Sequence, residues 1–464
     1  WWLWNRLIRY SMKIWLPLKK TPPLIKMLQP ALLKYTIWRK KQPLMFTVLR
    51  MNCLKINLMK MRKSNKKIWQ TALTPSLHPL VESFTVGEDY LFDQQLLPYD
   101  LKASLAHAEM LFTMRILNGQ ELNQIKKGLK KILSKWAMGE FTIEKNQEDG
   151  HTAIEQYLTE NYGEIGKKIH TGRSRNDQSL VMIRLYMKEQ LLVIEKLIAK
   201  ITRSLAKKIA KTKNIPMPGY THMQKAMPTT VGIWLDSYLG ATKDVLPLLQ
   251  ATQKIIDQNP LGSASGFGIN NFPLDRDLTT KILKFAKTQT NQVYCGFSRG
   301  YFENIVLQTL SNIMIIFSRL ANDMMIFTTQ EFNFFSLPDD FTTGSSIMPQ
   351  KRNYDLFEIM RGNVKVFCSY QNQIQNIISS LGSGYHRDLQ LTKKPLILGL
   401  DLCRSTCELT VEIIDNLKIH QEFLSKAMTK DLFVTNEVYE LVKNGKNFRD
   451  AYLEVKEKWK KNTR

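Results

Sequence analysis

The chain has 464 residues, long enough for two or three domains around a large buried core. Its 44% hydrophobic and 23% charged content excludes a disordered or membrane-dominated protein. Five scattered cysteines (Cys53, Cys295, Cys368, Cys403 and Cys407) exclude a disulfide framework and suit a reducing, cytoplasmic compartment.

The net charge of +25 is unevenly placed. Of 66 Lys and Arg, 17 fall within residues 1–81, ahead of the first acid, Glu82; the rest of the chain sets 49 bases against 41 acids. The excess therefore does not mark a nucleic-acid face on the folded part, and no base-reading motif accompanies it. Residues 1–66 form a basic, acid-free extension that opens Trp1-Trp2-Leu3-Trp4 and is cut by prolines 17, 22, 23, 30 and 43. No apolar run there reaches the ~18 residues of a membrane span. A targeting or membrane-surface arm is one reading; the composition favours sequence lying outside the native protein, with a start at Met59 or Met61.

Downstream the pattern is helical. Residues 174–215 lack Gly and Pro, and Leu180, Ile183, Met187, Leu191, Ile194, Ile198, Ile201, Leu205 and Ile209 recur every three or four positions, the stripe of a long bundle helix. Phe302 to Phe335 is apolar nearly all round and predicts a buried helix, and 355–381 and 395–417 continue the pattern. Strand alternation is scarcely visible. The Met and aromatic residues of these stripes, with Cys403 and Cys407 four apart, are expected in the core.

Chemistry gathers where turn signals interrupt the helices. Gly344-Ser345-Ser346-Ile347-Met348-Pro349-Gln350-Lys351-Arg352-Asn353 puts a hydroxyl, an ammonium and an amide on one glycine-led loop. Backbone N–H groups and Lys351 together can stabilise a Ser345 alkoxide, which a serine needs before it can act as a base. His222, in Gly219-Tyr220-Thr221-His222, carries the side chain that titrates nearest neutrality. No nucleotide loop, redox motif or metal-ligand spacing occurs, so neither cofactor nor metal is expected.

The serine loop matches the G-S-x-x-M-P-x-K-x-N pattern of the fumarase/aspartase superfamily. His170-Thr171-Gly172-Arg173-Ser174-Arg175-Asn176-Asp177-Gln178 and Gly219-Tyr220-Thr221-His222-Met223-Gln224 resemble the argininosuccinate lyases in particular. The resemblance runs from Lys67-Ile68-Trp69 to the C-terminus. It implies an all-α, three-domain lyase whose central long-helix bundle forms a twenty-helix core in a homotetramer, with active sites shared between subunits. On that basis the domains are 67–172, 173–420 and 421–464, the last shorter than is usual in the family. The implied reaction is reversible elimination of fumarate from argininosuccinate to give arginine, the last step of arginine biosynthesis. Such an elimination needs a base, an acid and donors for a dianionic intermediate.

By resemblance, Ser345 is the base, His222 the acid, Lys351 a stabiliser of developing charge, and Glu358 the partner that orients His222; the superfamily leaves the acid and base roles exchangeable. Ser174, Arg175, Asn176 and Thr221 match positions gripping the succinyl carboxylates, Asn353 binds substrate and holds the developing negative charge with Lys351, and Tyr385, Gln390 and Lys393 surround the arginine-like end. His151 matches another active-site histidine. Departures are Tyr354 for a proline, Met227 for a glutamine, Gly150 before His151, and Leu391-Thr392 where two acids are common. The alternatives are another fumarate-releasing lyase acting on a different amine, or a catalytically silent structural relative such as the lens crystallins. A small-molecule substrate is expected, with no nucleic-acid or membrane partner.

Overall fold

The computed structural model describes residues 77–462, so the extension 1–66 and the first residues of the N-terminal domain lie outside the described part. Fourteen α-helices follow in order: α1 (Pro79–Val86), α2 (Asp89–Thr113), α3 (Gly119–Ala137), α4 (Gly150–Tyr162), α5 (Glu164–Lys168), α6 (Arg175–Thr212), α7 (Val231–Ile256), α8 (Arg276–Leu283), α9 (Gln292–Phe327), α10 (Asp355–Ile378), α11 (Lys393–Asn416), α12 (Gln421–Ala427), α13 (Val434–Lys443) and α14 (Phe448–Asn462). Among the described residues strands occur only in two-stranded pairs: β1 (Pro216–Thr221) with β2 (Gln224–Thr230), β3 (Gln258–Asn259) with β4 (Lys287–Thr288), β5 (Phe335–Ser336) with β8 (Lys418–Ile419), and β6 (Thr343–Gly344) with β7 (Arg352–Asn353). The all-α class stands, and the β1–β2 hairpin is the element that alternation did not reveal.

Helix α6 has 38 residues, about 57 Å at 1.5 Å per residue. Leu180, Ile183, Met187, Leu191, Ile194, Ile198, Ile201 and Leu205 are all buried, and Ile209 packs at the edge. It shares its core with α7, α9, α10 and α11. Helix α9 starts before the expected Phe302, breaks at Arg299–Gly300, and ends at Phe327. Gly300 sits at φ +74°, and a Cβ there would lie 2.4 Å from Ile378 Cγ2, so only glycine permits this break. Beyond Phe327 the chain turns, and Phe332, Phe334 and Phe335 fold back onto Phe327, with Phe335 stacked on Trp234 at 4.9 Å. By length and composition α9 could cross a membrane, yet more than half of its most apolar stretch is buried against neighbouring helices. Cys295, Cys403 and Cys407 are buried, as core thiols are expected to be.

Three smaller cores are separate, one of which joins Ala103, Ala106, Val181, Leu185, Leu261 and Leu283. Leu97, Leu101, Leu111, Ile125, Leu129, Ile154 and Leu158 join α2, α3 and α4. Val438, Ala451 and Val455 join α13 and α14.

Candidate active site

The first group of candidates lies where α2, α4 and α6 meet. Ser174 caps α6: its hydroxyl accepts the Asn176 N–H at 3.3 Å, while its own N–H donates to Asp177 Oδ1 at 2.8 Å. Asp177 Oδ2 also accepts N–H bonds from Gly262 and Ala264, which ties the start of α6 to the loop after β3. Arg175 is thereby presented on the first turn. Its guanidinium donates to Glu148 Oε2 at 2.7 Å and Thr152 Oγ1 at 3.0 Å, and its Nε lies 3.4 Å from Asp149. Burial works against its charge, but these acids hold its pKa above the ordinary value. Asp149 in turn caps α4, accepting from the Thr152 N–H and hydroxyl at 2.8 and 2.7 Å. Burial pushes the Asp149 carboxyl up, and His151, Arg175 and Thr152 bring it below the usual range.

His151 is only 5% exposed. Its Nδ1 lies 2.6 Å from Asp100 Oδ2 and its Nε2 3.1 Å from Ser179 Oγ. Burial favours the neutral ring; Asp100, then Asp149 and Asp93, outweigh it and raise the pKa. Lys393, assigned by resemblance to the arginine-like end, is buried between Asp89 (2.7 Å) and Asp93 (2.6 Å), and Asp93 also accepts the Gly150 N–H. Its ammonium is thus neutralised by the protein itself. Burial raises the Asp89 carboxyl to about 6, with Lys393 pulling the other way. Gln390 donates to the Thr85 and Val86 carbonyls, and Arg299, at the break of α9, faces Glu303 at 3.1 Å.

A cavity of about 160 Å³ opens on this wall, lined among others by Asp89, Arg175, Asn176, Ser179, Tyr385, Gln390 and Lys393. Six of the candidates therefore meet, Ser174 at the helix cap and Arg175, Asn176, Tyr385, Gln390 and Lys393 around the cavity, with His151 set behind it. A larger groove of about 850 Å³ between Tyr99, Lys188, Gln253 and Leu283 contains none of them.

The second group is the tip of the β1–β2 hairpin. Thr221 pairs with Gln224, and His222 and Met223 form the connecting turn with φ +52° and +63°. Both central residues are left-handed, the geometry of a type I′ turn that normally selects Asn and Gly. Holding it with His and Met costs about 1 kcal/mol or more per residue. Gly219 allows the strands to close, since a Cβ there would lie 2.9 Å from the Met227 carbonyl oxygen. Lys225 anchors β2 by donating to the Ala427 carbonyl and Thr429 Oγ1. Thr221 and His222 are both exposed, as is Met227.

The third group is the serine loop, closed at its base by the Thr343–Asn353 and Gly344–Arg352 pairs of β6 and β7. Ser345 Oγ accepts the N–H groups of Ile347 (3.3 Å) and Met348 (3.1 Å), the backbone donors expected to favour its alkoxide. Lys351 is exposed, and no hydrogen bond joins it to Ser345 among the described residues. Glu358 is exposed on the first turn of α10, with Asn353 half-buried before it; neither an ion pair nor a hydrogen bond links Glu358 to His222. Among the described residues no hydrogen bond or ion pair joins one of these three groups to another. Asp89, Asp93, Asp100, Glu148, Asp149, Ser179 and Arg299 are wall residues that the motifs did not single out.

A family profile described as Lyase matches residues 79–367. The argininosuccinate lyase of Thermotoga neapolitana is 40% identical over 395 residues, 85% of this chain and 98% of that protein. That of Bacteroides fragilis is 38% identical over 390 residues, 84% and 87% of the two chains. The structure of a fumarate lyase:delta crystallin from Brucella melitensis aligns with a TM-score of 0.71 over 85% of this chain and 93% of that one, at 15% identity, a likeness of fold.

Proposed function

Because this chain belongs to the argininosuccinate lyase family of the fumarase/aspartase superfamily, we propose that it eliminates fumarate from argininosuccinate to release arginine, reversibly. The observation that carries this reading is the match over 98% of the Thermotoga neapolitana argininosuccinate lyase, in a chain that retains the complete serine loop. In this mechanism Ser345, its oxygen held by two backbone N–H groups, takes the proton beside the substrate carboxylate. Arg175, Asn176 and Thr221 grip the succinyl carboxylates, and Lys351 and Asn353 stabilise the dianionic intermediate. His222, oriented by Glu358, protonates the departing nitrogen, with Tyr385, Gln390 and Lys393 at the arginine-like end.

These roles require several copies of the chain, and a homotetramer with shared sites is part of the proposal. Its support is that no hydrogen bond or ion pair joins the three groups among the described residues, together with the exposed Ile233, Ile315, Ile359 and Val366 on bundle helices α7, α9 and α10. Domains ending near 172 and 420 remain part of the proposal: the cluster joining α2, α3 and α4 and that joining α13 and α14 lie on either side of the bundle, whose own core takes in Leu96 and Leu424 across both boundaries. A cytoplasmic setting accords with the free thiols.

Fumarate release from argininosuccinate by the full chain, compared with a Ser345→Ala variant, tests the reading. Turnover that collapses in the variant supports it. A folded oligomer that releases fumarate from another succinyl amine, and none from argininosuccinate, replaces the substrate. One that releases none from either is a silent relative.

A further inference from the structure

His151 does not line the cavity that its sequence position led one to expect it to serve; Ser179 does. The hydroxyl of Ser179 lies between that cavity and the imidazole, 3.1 Å from Nε2, and the other ring nitrogen lies 2.6 Å from Asp100. Asp100 is itself fixed, facing Ser104, whose hydroxyl receives an N–H from buried Arg173 at 2.9 Å. Ser179 is one helical turn beyond Arg175 on α6, so the two side chains share a face, and Asn176 lies three residues before it.

We propose that Ser179 binds a substrate carboxylate directly, its hydroxyl polarised from behind by the His151–Asp100 pair, so that His151 serves the reaction only as a positioning residue acting through Ser179. The proposal rests on reading this cavity as the carboxylate end of the lyase site.

The direction of the hydrogen bonds follows from charge. Asp100 accepts the Nδ1 proton, and Asp100, Asp149 and Asp93 together favour a second proton on Nε2. In the ring that carries both protons, Nε2–H donates to Ser179 Oγ. Among the described residues the Ser179 hydroxyl has no other partner, which leaves its own hydrogen free to point into the cavity. A hydroxyl that accepts from a cation becomes a stronger donor, and a carboxylate beside Arg175 and Asn176 is the acceptor it suits.

The same connectivity, serine to histidine to aspartate, also describes an acyl-transfer nucleophile, but the surroundings lack what that chemistry needs. Ser179 lies within α6, where its backbone N–H is committed to the helix and cannot help stabilise an oxyanion. While it holds both protons, moreover, the imidazole cannot accept the serine proton.

The test compares wild type, Ser179→Ala and Ser179→Thr, each checked for native helicity. It measures kcat and KM for argininosuccinate and the dissociation constant for succinate, a dicarboxylate with no leaving group. For Ser179→Ala, KM and the succinate constant should both rise about ten- to hundredfold, the loss expected for one hydrogen bond to a charged group, with the effect in KM rather than kcat. Ser179→Thr, which keeps the hydroxyl, should restore binding. Unchanged KM and succinate affinity in Ser179→Ala would overturn the proposal, as would covalent labelling of Ser179 by a fluorophosphonate. Wild-type protein that binds succinate in a Ser179-dependent way without releasing fumarate would remove the lyase reading and leave this one standing. Wild-type protein that fails to bind succinate would overturn this one.

Discussion

The wall between α2, α4 and α6 and the two exposed tips, the hairpin turn and the serine loop, are built on opposite principles. In the wall every charge that the candidates bring is already answered. Lys393 sits between Asp89 and Asp93, Arg175 against Glu148 and Asp149, and His151 against Asp100. At the tips Lys351, Glu358 and His222 are exposed and have no ion-pair partner among the described residues. A preorganised binding wall keeps its geometry without substrate. A tip acquires its function only when something is brought against it.

Four experiments would break or sharpen that contrast. The largest effect belongs to a tip: Ser345→Ala should lower kcat for fumarate release by about 10²–10⁴-fold while the urea midpoint stays unchanged, since Ser345 contributes nothing to a buried core. In the wall the cost falls on stability instead. Lys393→Met leaves two buried carboxylates without their cation, and urea denaturation should show a loss of about 3–5 kcal/mol. Adding Asp93→Asn should recover part of it.

The third experiment reads Asp89 through pH. Its folded pKa of about 6 exceeds its ordinary value of 3.8, so the folded state holds the proton more tightly than the unfolded one. Stability should therefore fall as pH rises from about 4 to about 6, by roughly 1–3 kcal/mol, and Asp89→Asn should flatten that slope in paired melts. The smallest effect returns to the tips. Met223→Gly should raise stability by about 0.5–1 kcal/mol by relieving a left-handed methionine. His222→Gly should bring a similar gain with loss of turnover, separating strain kept for chemistry from strain that is merely local.

The bundle was legible because its signal is periodic and local: the stripe from Leu180 to Leu205 can be read along one stretch of sequence and is buried as read. The hairpin was not, because Pro216, Pro218 and Pro228 break any alternation and its turn uses residues that rarely adopt positive φ. The motifs located Arg175, His151 and Lys393, but not what those residues touch. The carboxylate partners of His151 and Lys393 come from α2, about 50 residues away for His151 and about 300 for Lys393, distances over which no spacing rule operates. A clue was nonetheless present. Asp89, Asp93, Asp100, Ser104 and His107 recur at three-, four- and seven-residue intervals along α2, a polar stripe on a helix whose other buried residues are all apolar. Four of these five are fully buried. Read as an inward-facing stripe, that series points to a polar wall before any partner is known.

The length of α6 sets a limit of a different kind. Arg175 opens this rod of about 57 Å, and the hairpin with His222 follows its far end. Six residues of strand cannot span that distance back. A reaction that uses both groups is therefore closed to a solitary chain, whatever its fold or stability. Turnover per chain should not stay constant on dilution: it should fall once copies separate, and reappear when they are concentrated, with no side chain altered.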